Sequence, residues 1–75
     1  MKVILYSKDN CVKCNQAKML LDIKSIPYEL KMLGVDYDRD EAIDISGGKI
    51  EMPIVTVDGK YIGGLLSLKE VIKMV

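Results

Sequence analysis

The 75-residue chain has no histidine and no tryptophan, and only two cysteines. The missing histidine removes the usual general base and the commonest metal ligand. Two cysteines cannot staple a small secreted domain the way four to eight do. No apolar run approaches the roughly 18 residues of a membrane span. The short apolar start, Met1 to Tyr6, is too brief for the core of an export signal. Neither sign of charge is in excess, because 11 Lys+Arg balance 11 Asp+Glu. A neutral chain has no electrostatic reason to seek nucleic acid or an anionic membrane, and neither is expected as a partner.

What is present points to a packed globule: 49% of residues are hydrophobic and 29% charged. One small domain over residues 1–75 is expected, with no linker, repeat or low-complexity segment. Its margin of stability is thin, because a chain this short hides only about 60% of its unfolded surface. A reducing cytoplasm is the expected compartment for two cysteines without an export signal.

The run Lys2 to Tyr6 reads as a buried strand. Asp9 and Asn10 are good helix N-caps, and a helical pattern follows from Cys11 to Lys24. Ala17, Met19, Leu20, Leu21 and Ile23 form its apolar side, with Asn15, Lys18 and Asp22 opposite. Pro27 ends the region. Tyr28 to Met32 is a second strand, closed by Gly34. Residues 36–46 read as a short helix with Ala42, Ile43 and Ile45 as apolar members and Gly47-Gly48 as its stop. Ile54 to Val57 and Lys60 to Ile62 are strands joined by Asp58-Gly59, a strong hairpin signal. Gly63-Gly64 opens a loop. Ser67-Leu-Lys-Glu70 has capping-box form, which starts a last helix near Leu68 carrying Val71, Ile72 and Val75. The order is β-α-β-α-β-β-α, an α/β arrangement.

The chemistry concentrates in Cys11-Val12-Lys13-Cys14. In a reducing compartment this pairing is redox-active, metal-binding or inert. A structural zinc site wants four ligands and one chain supplies two thiolates. A soft-metal clamp for Cu(I) or Zn(II) stays open as a binding-module reading. Small carriers of that kind usually end on a strand, however, and this chain is expected to end on a helix. For redox work a thiolate must form. Cys11 opens the predicted helix, where free N–H groups and the positive dipole end favour an anion. Lys8 and Lys13 add positive potential, and Asp9 opposes them. On a helical wheel Cys11 falls with the polar residues and Cys14 nearer the apolar arc. Cys11 is therefore expected to be the exposed nucleophile and Cys14 the shielded resolving thiol. Residues three apart on a helix have Cβ atoms about 5–6 Å apart. A disulfide needs about 3.5–4.5 Å, so a small adjustment closes the ring.

Four motifs fall in the order found in one family. Tyr6-Ser7-Lys8 precedes the CxxC, Met52-Pro53 precedes a strand, Asp58-Gly59 follows it, and Ile62-Gly63-Gly64 precedes the last helix. Over nearly its whole length the chain resembles a glutaredoxin. The resemblance implies a thioredoxin-like fold, with a central four-stranded mixed sheet flanked by helices. It implies a monomeric dithiol oxidoreductase with Cys11 and Cys14 as catalytic residues, no bound metal or cofactor, and glutathione as co-substrate. It makes Met52-Pro53 a cis bond beside the CxxC, with Met52 offering backbone groups to an extended ligand. Backbone N–H groups after Gly63 would hold a glutathione carboxylate. The implied glutathione-binding set is Lys8, Lys13, Met52, Pro53, Gly64, Leu65, Leu66 and Ser67.

The chain is also similar to short redoxins that supply electrons to ribonucleotide reductase, some of them recharged by thioredoxin reductase. A third reading is an iron–sulfur role, with Cys11 and glutathione as ligands across a dimer. The family has an acidic side chain shortly after its two glycines, where this chain has Leu65-Leu66-Ser67. Lys13 and Val12 also depart from the Tyr and Pro that dithiol glutaredoxins favour.

Asp36, Asp38 and Asp40 alternate like the start of a calcium loop. The sixth and twelfth positions are Glu41 and Gly47, however, where such a loop needs Gly and Glu. Residues 36–44 hold five acids against Arg39, net −4, which leaves +4 on the rest of the chain. The active face, with Lys8 and Lys13, is therefore expected to attract anionic substrates.

Overall fold

The computed structural model describes residues 2–48 and 52–73. The apolar run near the start forms β1 (Val3–Ser7), in which every residue but Ile4 is buried. It lies inside a four-stranded sheet, with β2 (Tyr28–Met32) on one side and β3 (Ile54–Val57) on the other. β2 runs parallel to β1, with Val3 opposite Tyr28 and Ser7 opposite Met32. A parallel pair needs a crossover, and the helix α1 (Val12–Ile23) supplies it. β3 is antiparallel to β1, with Tyr6 opposite Ile54. β4 (Lys60–Gly63) pairs with β3 at the edge, giving the order β2-β1-β3-β4. Asp58 and Gly59 have φ of +52° and +84°, the double left-handed bend that a two-residue hairpin needs. Two further helices, α2 (Arg39–Ser46) and α3 (Leu65–Lys73), complete the thioredoxin-like α/β fold expected from the sequence.

Side-chain alternation along the strands builds two cores. Val3, Leu5 and Val55 face one way and meet Ala17 and Leu21 of α1 and Leu68 and Ile72 of α3. Tyr6 and Ile54 face the other way and meet Tyr37 and Ala42. The sheet is thus covered on both faces, which suits the unbroken apolar character of β1.

Several expected boundaries and faces are corrected. The N-cap of α1 is Cys11 itself, not Asp9 or Asn10. Asn10 instead takes φ +55°, turning the chain into the helix. α1 stops at Ile23, ahead of Pro27, with Ser25 at φ +55°. Its buried stripe is only Cys14, Ala17 and Leu21. Met19 and Ile23 were expected on that side, yet they are 62% and 73% exposed. The sheet covers one narrow stripe, and these two lie on the far side of the helix.

α2 begins at Arg39 rather than 36, because Asp38 accepts the Glu41 N–H at 2.9 Å as its N-cap. Residues 33–37 make a turn closed by a Leu33–Tyr37 bridge. Gly47, at φ +70°, ends α2 as expected. Ile43 and Ile45 are half-buried, and Ala42 and Ser46 are the buried residues of α2.

α3 begins at Leu65, three residues before the start near Leu68 that the capping box implied. Leu68 N–H already reaches back to the Gly64 carbonyl at 3.0 Å, so Ser67 sits inside the first turn and is not the cap. Val75 lies outside the described residues.

Candidate active site

The backbone leaves the buried strand β1 at Ser7, turns through Lys8 to Asn10, and delivers Cys11 to the start of α1. Cys11 has extended backbone angles (φ −112°, ψ +105°), as a cap does. Its carbonyl accepts the Asn15 N–H at 3.1 Å, the first turn of the helix. Its Sγ accepts the Cys14 N–H at 3.2 Å. The sulfur therefore occupies the place a serine or aspartate oxygen takes in an ordinary N-cap. In the reduced protein a thiolate there would receive an N–H bond and the positive end of the helix dipole, both of which favour the anion.

Cys11 and Cys14 are joined by a disulfide with Cα atoms 5.2 Å apart. Cys14 is fully buried and Cys11 is 9% exposed. Cys11 is thus the more accessible of the two, but it is much less exposed than the wheel suggested. The wheel treated Cys11 as a helical residue, whereas its cap geometry turns the side chain back over the first turn.

Beside the pair lies a cleft of about 250 Å³. Lys13, Met52, Pro53, Gly64, Leu66 and Ser67 line it, six of the eight residues that the resemblance put around glutathione. Two are placed elsewhere. Lys8 is exposed in the loop before Cys11 and does not line the cleft. Leu65 packs against the core formed by Leu68 and Ile72. Tyr61 and Gly63 also line the cleft and were not in the expected set. Both lie on β4, whose hairpin brings them beside Met52, and the hairpin signal itself was the clue to them.

The Met52–Pro53 peptide bond is cis, and Pro53 is buried. Pro53 also explains Gly64: a Cβ there would sit 3.2 Å from the Pro53 carbonyl oxygen. Gly63 has φ +127°, and a side chain on it would collide with Ser67. These two glycines let the start of α3 close tightly over the cis-proline turn.

Tyr37 was missed as a site residue. It is buried, and its hydroxyl donates to the Ser7 carbonyl at 2.7 Å and lies 3.4 Å from Met52 Sδ, within donating range. Its ring meets Tyr6 edge-on, with centroids 5.1 Å apart. Burial pushes the Tyr37 phenol up to about 12, with a smaller contribution from Tyr6. The only sequence signal was an aromatic residue inside an acidic stretch. Tyr28 is also raised, by burial first and then by the charge and hydrogen bond of Asp22. Among the described residues, Lys13 is the one charged residue lining the cleft. Among the described residues no group of three or more Cys, Asp or Glu side chains is arranged to hold a metal. No described helix is long and apolar enough to cross a membrane.

A family model for glutaredoxin matches residues 3–62. Glutaredoxin 1 of Rickettsia typhi is 36% identical over 64 residues, a match covering 83% of this chain and 62% of that protein. The chain therefore spans about three fifths of the length of that relative. Among solved structures, glutaredoxin 1 from Francisella tularensis superposes with a TM-score of 0.81 at 21% identity, covering 97% of this chain and 93% of that one. A buckwheat glutaredoxin–glutathione complex superposes with a TM-score of 0.77 at 27% identity, covering 96% and 68%.

Proposed function

The chain belongs to the glutaredoxin family, and on that premise we propose that it is a thiol–disulfide oxidoreductase that uses Cys11 as nucleophile and Cys14 as resolving thiol. One observation carries the reading: the Cys11 sulfur caps α1 beside a cleft formed by the Met52–Pro53 turn and the Gly63-Gly64 start of α3. The sulfur sits where a thiolate is favoured, and an extended thiol ligand has a place to lie.

In the reducing direction the Cys11 thiolate attacks one sulfur of a client disulfide. A mixed disulfide forms, and the client's other sulfur leaves as a thiolate that takes a proton from solvent. Cys14 then loses its proton and attacks Cys11 Sγ, releasing the second client thiolate and closing the Cys11–Cys14 disulfide. Two electrons pass from the dithiol to the client. No histidine is available to move the protons, so they exchange between the thiols and water.

Glutathione recharges the pair in this reading. Its thiolate attacks Cys11 Sγ and frees Cys14, and a second glutathione removes the first as oxidised glutathione. The buckwheat relative's glutathione complex supports glutathione as the ligand. Lys13 offers a cation to a carboxylate, and the backbone N–H groups at the start of α3 offer another anion site. The client is a protein or glutathione mixed disulfide, with ribonucleotide reductase as the family-based candidate. The setting is a reducing cytoplasm.

A second reductant has support from the sequence after the two glycines, where Leu65-Leu66-Ser67 carries no acid to meet the glutathione ammonium. Recharging by thioredoxin reductase is the alternative that this feature favours. The test is turnover of a glutathione mixed disulfide with glutathione, glutathione reductase and NADPH, run in parallel with thioredoxin reductase and NADPH. Activity with the first supports the main reading, and activity with only the second moves the protein to the redoxin class. A bound metal or a coloured cluster on anaerobic purification, with no turnover in either assay, would replace the redox reading by a binding one.

A further inference from the structure

Core packing leaves one apolar stripe of α1 uncovered. Val12, Met19 and Ile23 are 70%, 62% and 73% exposed. At 100° per residue they fall within about 40° of one another. They therefore form a line and not a scatter of single exposed side chains, which would need no explanation. The line runs about 16 Å along the helix at 1.5 Å per residue. It begins at Val12, the residue after Cys11.

The neighbouring helix supplies the other wall. Lys69 of α3 lines a shallow groove with Gln16, Met19, Leu20 and Ile23. Lys73 lies one turn further along α3, on the same side as Lys69. At the other end Leu66, 75% exposed, belongs both to α3 and to the active-site cleft. Lys13 in the first turn of α1 lines that cleft too. Both helices start at the cleft, so the groove continues from it along the molecule.

We propose that this groove docks an acidic amphipathic helix of the protein client, with its apolar face on Val12, Met19 and Ile23 and its carboxylates against Lys69 and Lys73. The proposal rests on the redox reading above and names the partner of that same site. Charge decides the occupant. One wall is apolar and the other carries two ammonium groups, so a helix with Leu on one face and Glu beside it satisfies both. A basic or wholly polar segment satisfies neither. Continuity decides its origin: Lys13 and Leu66, at the starts of the two helices that wall the groove, line the active-site cleft, so a client seated there lies at the groove's near end. The acids on these helices are Asp22, hydrogen-bonded to Tyr28, and Glu70, exposed on α3 about 100° round the helix from Lys69; neither lines the groove.

The test uses a short synthetic peptide with one glutathionylated cysteine, alone or extended by a spacer and a Leu/Glu amphipathic helix. A third version replaces Glu by Lys. Deglutathionylation by the full chain should show a KM about tenfold lower with the acidic tail, equivalent to about 1.4 kcal/mol. The gain should shrink as salt is raised. The double variants Lys69→Glu with Lys73→Glu, and Met19→Glu with Ile23→Glu, should each abolish the gain while turning over the untailed peptide like the parent. Anisotropy of a fluorescent, cysteine-free acidic helix reads the groove apart from the chemistry. Binding without turnover would leave the groove standing and remove the redox reading. Turnover without binding, or an equal gain from the basic tail, would overturn the groove. Sedimentation showing a dimer that the same variants dissolve, with no tail effect, would assign the groove to a second copy of the chain and overturn the client proposal.

Discussion

The Tyr37 hydroxyl donates to the Ser7 carbonyl at 2.7 Å, across thirty residues of sequence. The bond ties the turn before α2 to the end of β1, just before the loop that carries Cys11. The Ser7 carbonyl also accepts the Leu33 N–H at 2.9 Å, so it keeps a partner if the phenol is removed. Tyr37→Phe is therefore expected to cost only about 0.5–1.5 kcal/mol, the net worth of one hydrogen bond. Tyr37→Ala removes the buried ring as well and should cost about 3–5 kcal/mol, by analogy with other aromatic truncations. Urea denaturation of the two variants checks the ordering. Equal losses would show that the hydroxyl, and not the ring, carries the contribution.

The same phenol predicts a loss of stability in alkali. Its folded value is pushed up to about 12, from the ordinary 10.0, chiefly by burial. The unfolded chain therefore gives up this proton first. The contribution is complete below pH 10 and is lost as the pH rises from 10 toward about 12. Tyr28 is raised too and acts in the same direction. Stability measured across that range should fall less steeply in Tyr37→Phe than in the parent, and identical slopes would remove Tyr37 from the effect.

Cys14→Ser should stop the proposed cycle after its first exchange. Incubated with oxidised glutathione, the variant should hold one glutathionyl group on Cys11, read by intact mass and peptide mapping. Cys11→Ser should hold none, because Cys14 is fully buried. An adduct on Cys14 in the second variant would reverse the two roles.

Two residues of α1 should respond oppositely to truncation. Leu21 is fully buried among Leu5, Val55 and Leu68, and Leu21→Ala should cost about 2–5 kcal/mol. Met19 is 62% exposed, and Met19→Ala should stay within about 0.5 kcal/mol of the parent. Thermal unfolding of both distinguishes the structural face of the helix from the free one. A large loss at Met19 would mean that it is packed.

The positions of the strands were legible because their signals are local. Asp58-Gly59 can adopt two successive positive φ angles wherever it occurs, so the hairpin follows from two adjacent residues. The β-branched run Ile54 to Val57 and the span Tyr28 to Met32 appear with the bounds expected. Gly47 ends α2 for an equally local reason. The dithiol was legible too, because three residues of spacing already bring two sulfurs near bonding distance.

The faces and caps were less legible. A wheel drawn through α1 places Met19 and Ile23 with the apolar residues, but it cannot say how wide a stripe the sheet covers. Ser67 and Glu70 spell a capping box, yet the turn at Gly63-Gly64, closed against Pro53, starts α3 earlier. Cys11 became a cap because the left-handed turn at Asn10 delivered it in extended form.

By itself, then, the sequence determined the order of elements, the hairpin and the reactive pair, each from residues only a few positions apart. Tertiary structure alone decided that Tyr37 reaches Ser7 and that Met52, Tyr61 and Ser67 share a wall with Lys13. It also decided which apolar residues of α1 stay in water. Such contacts join segments up to about fifty residues apart, and they exist only after a parallel crossover and two antiparallel pairings have stacked both helices on one side of the sheet.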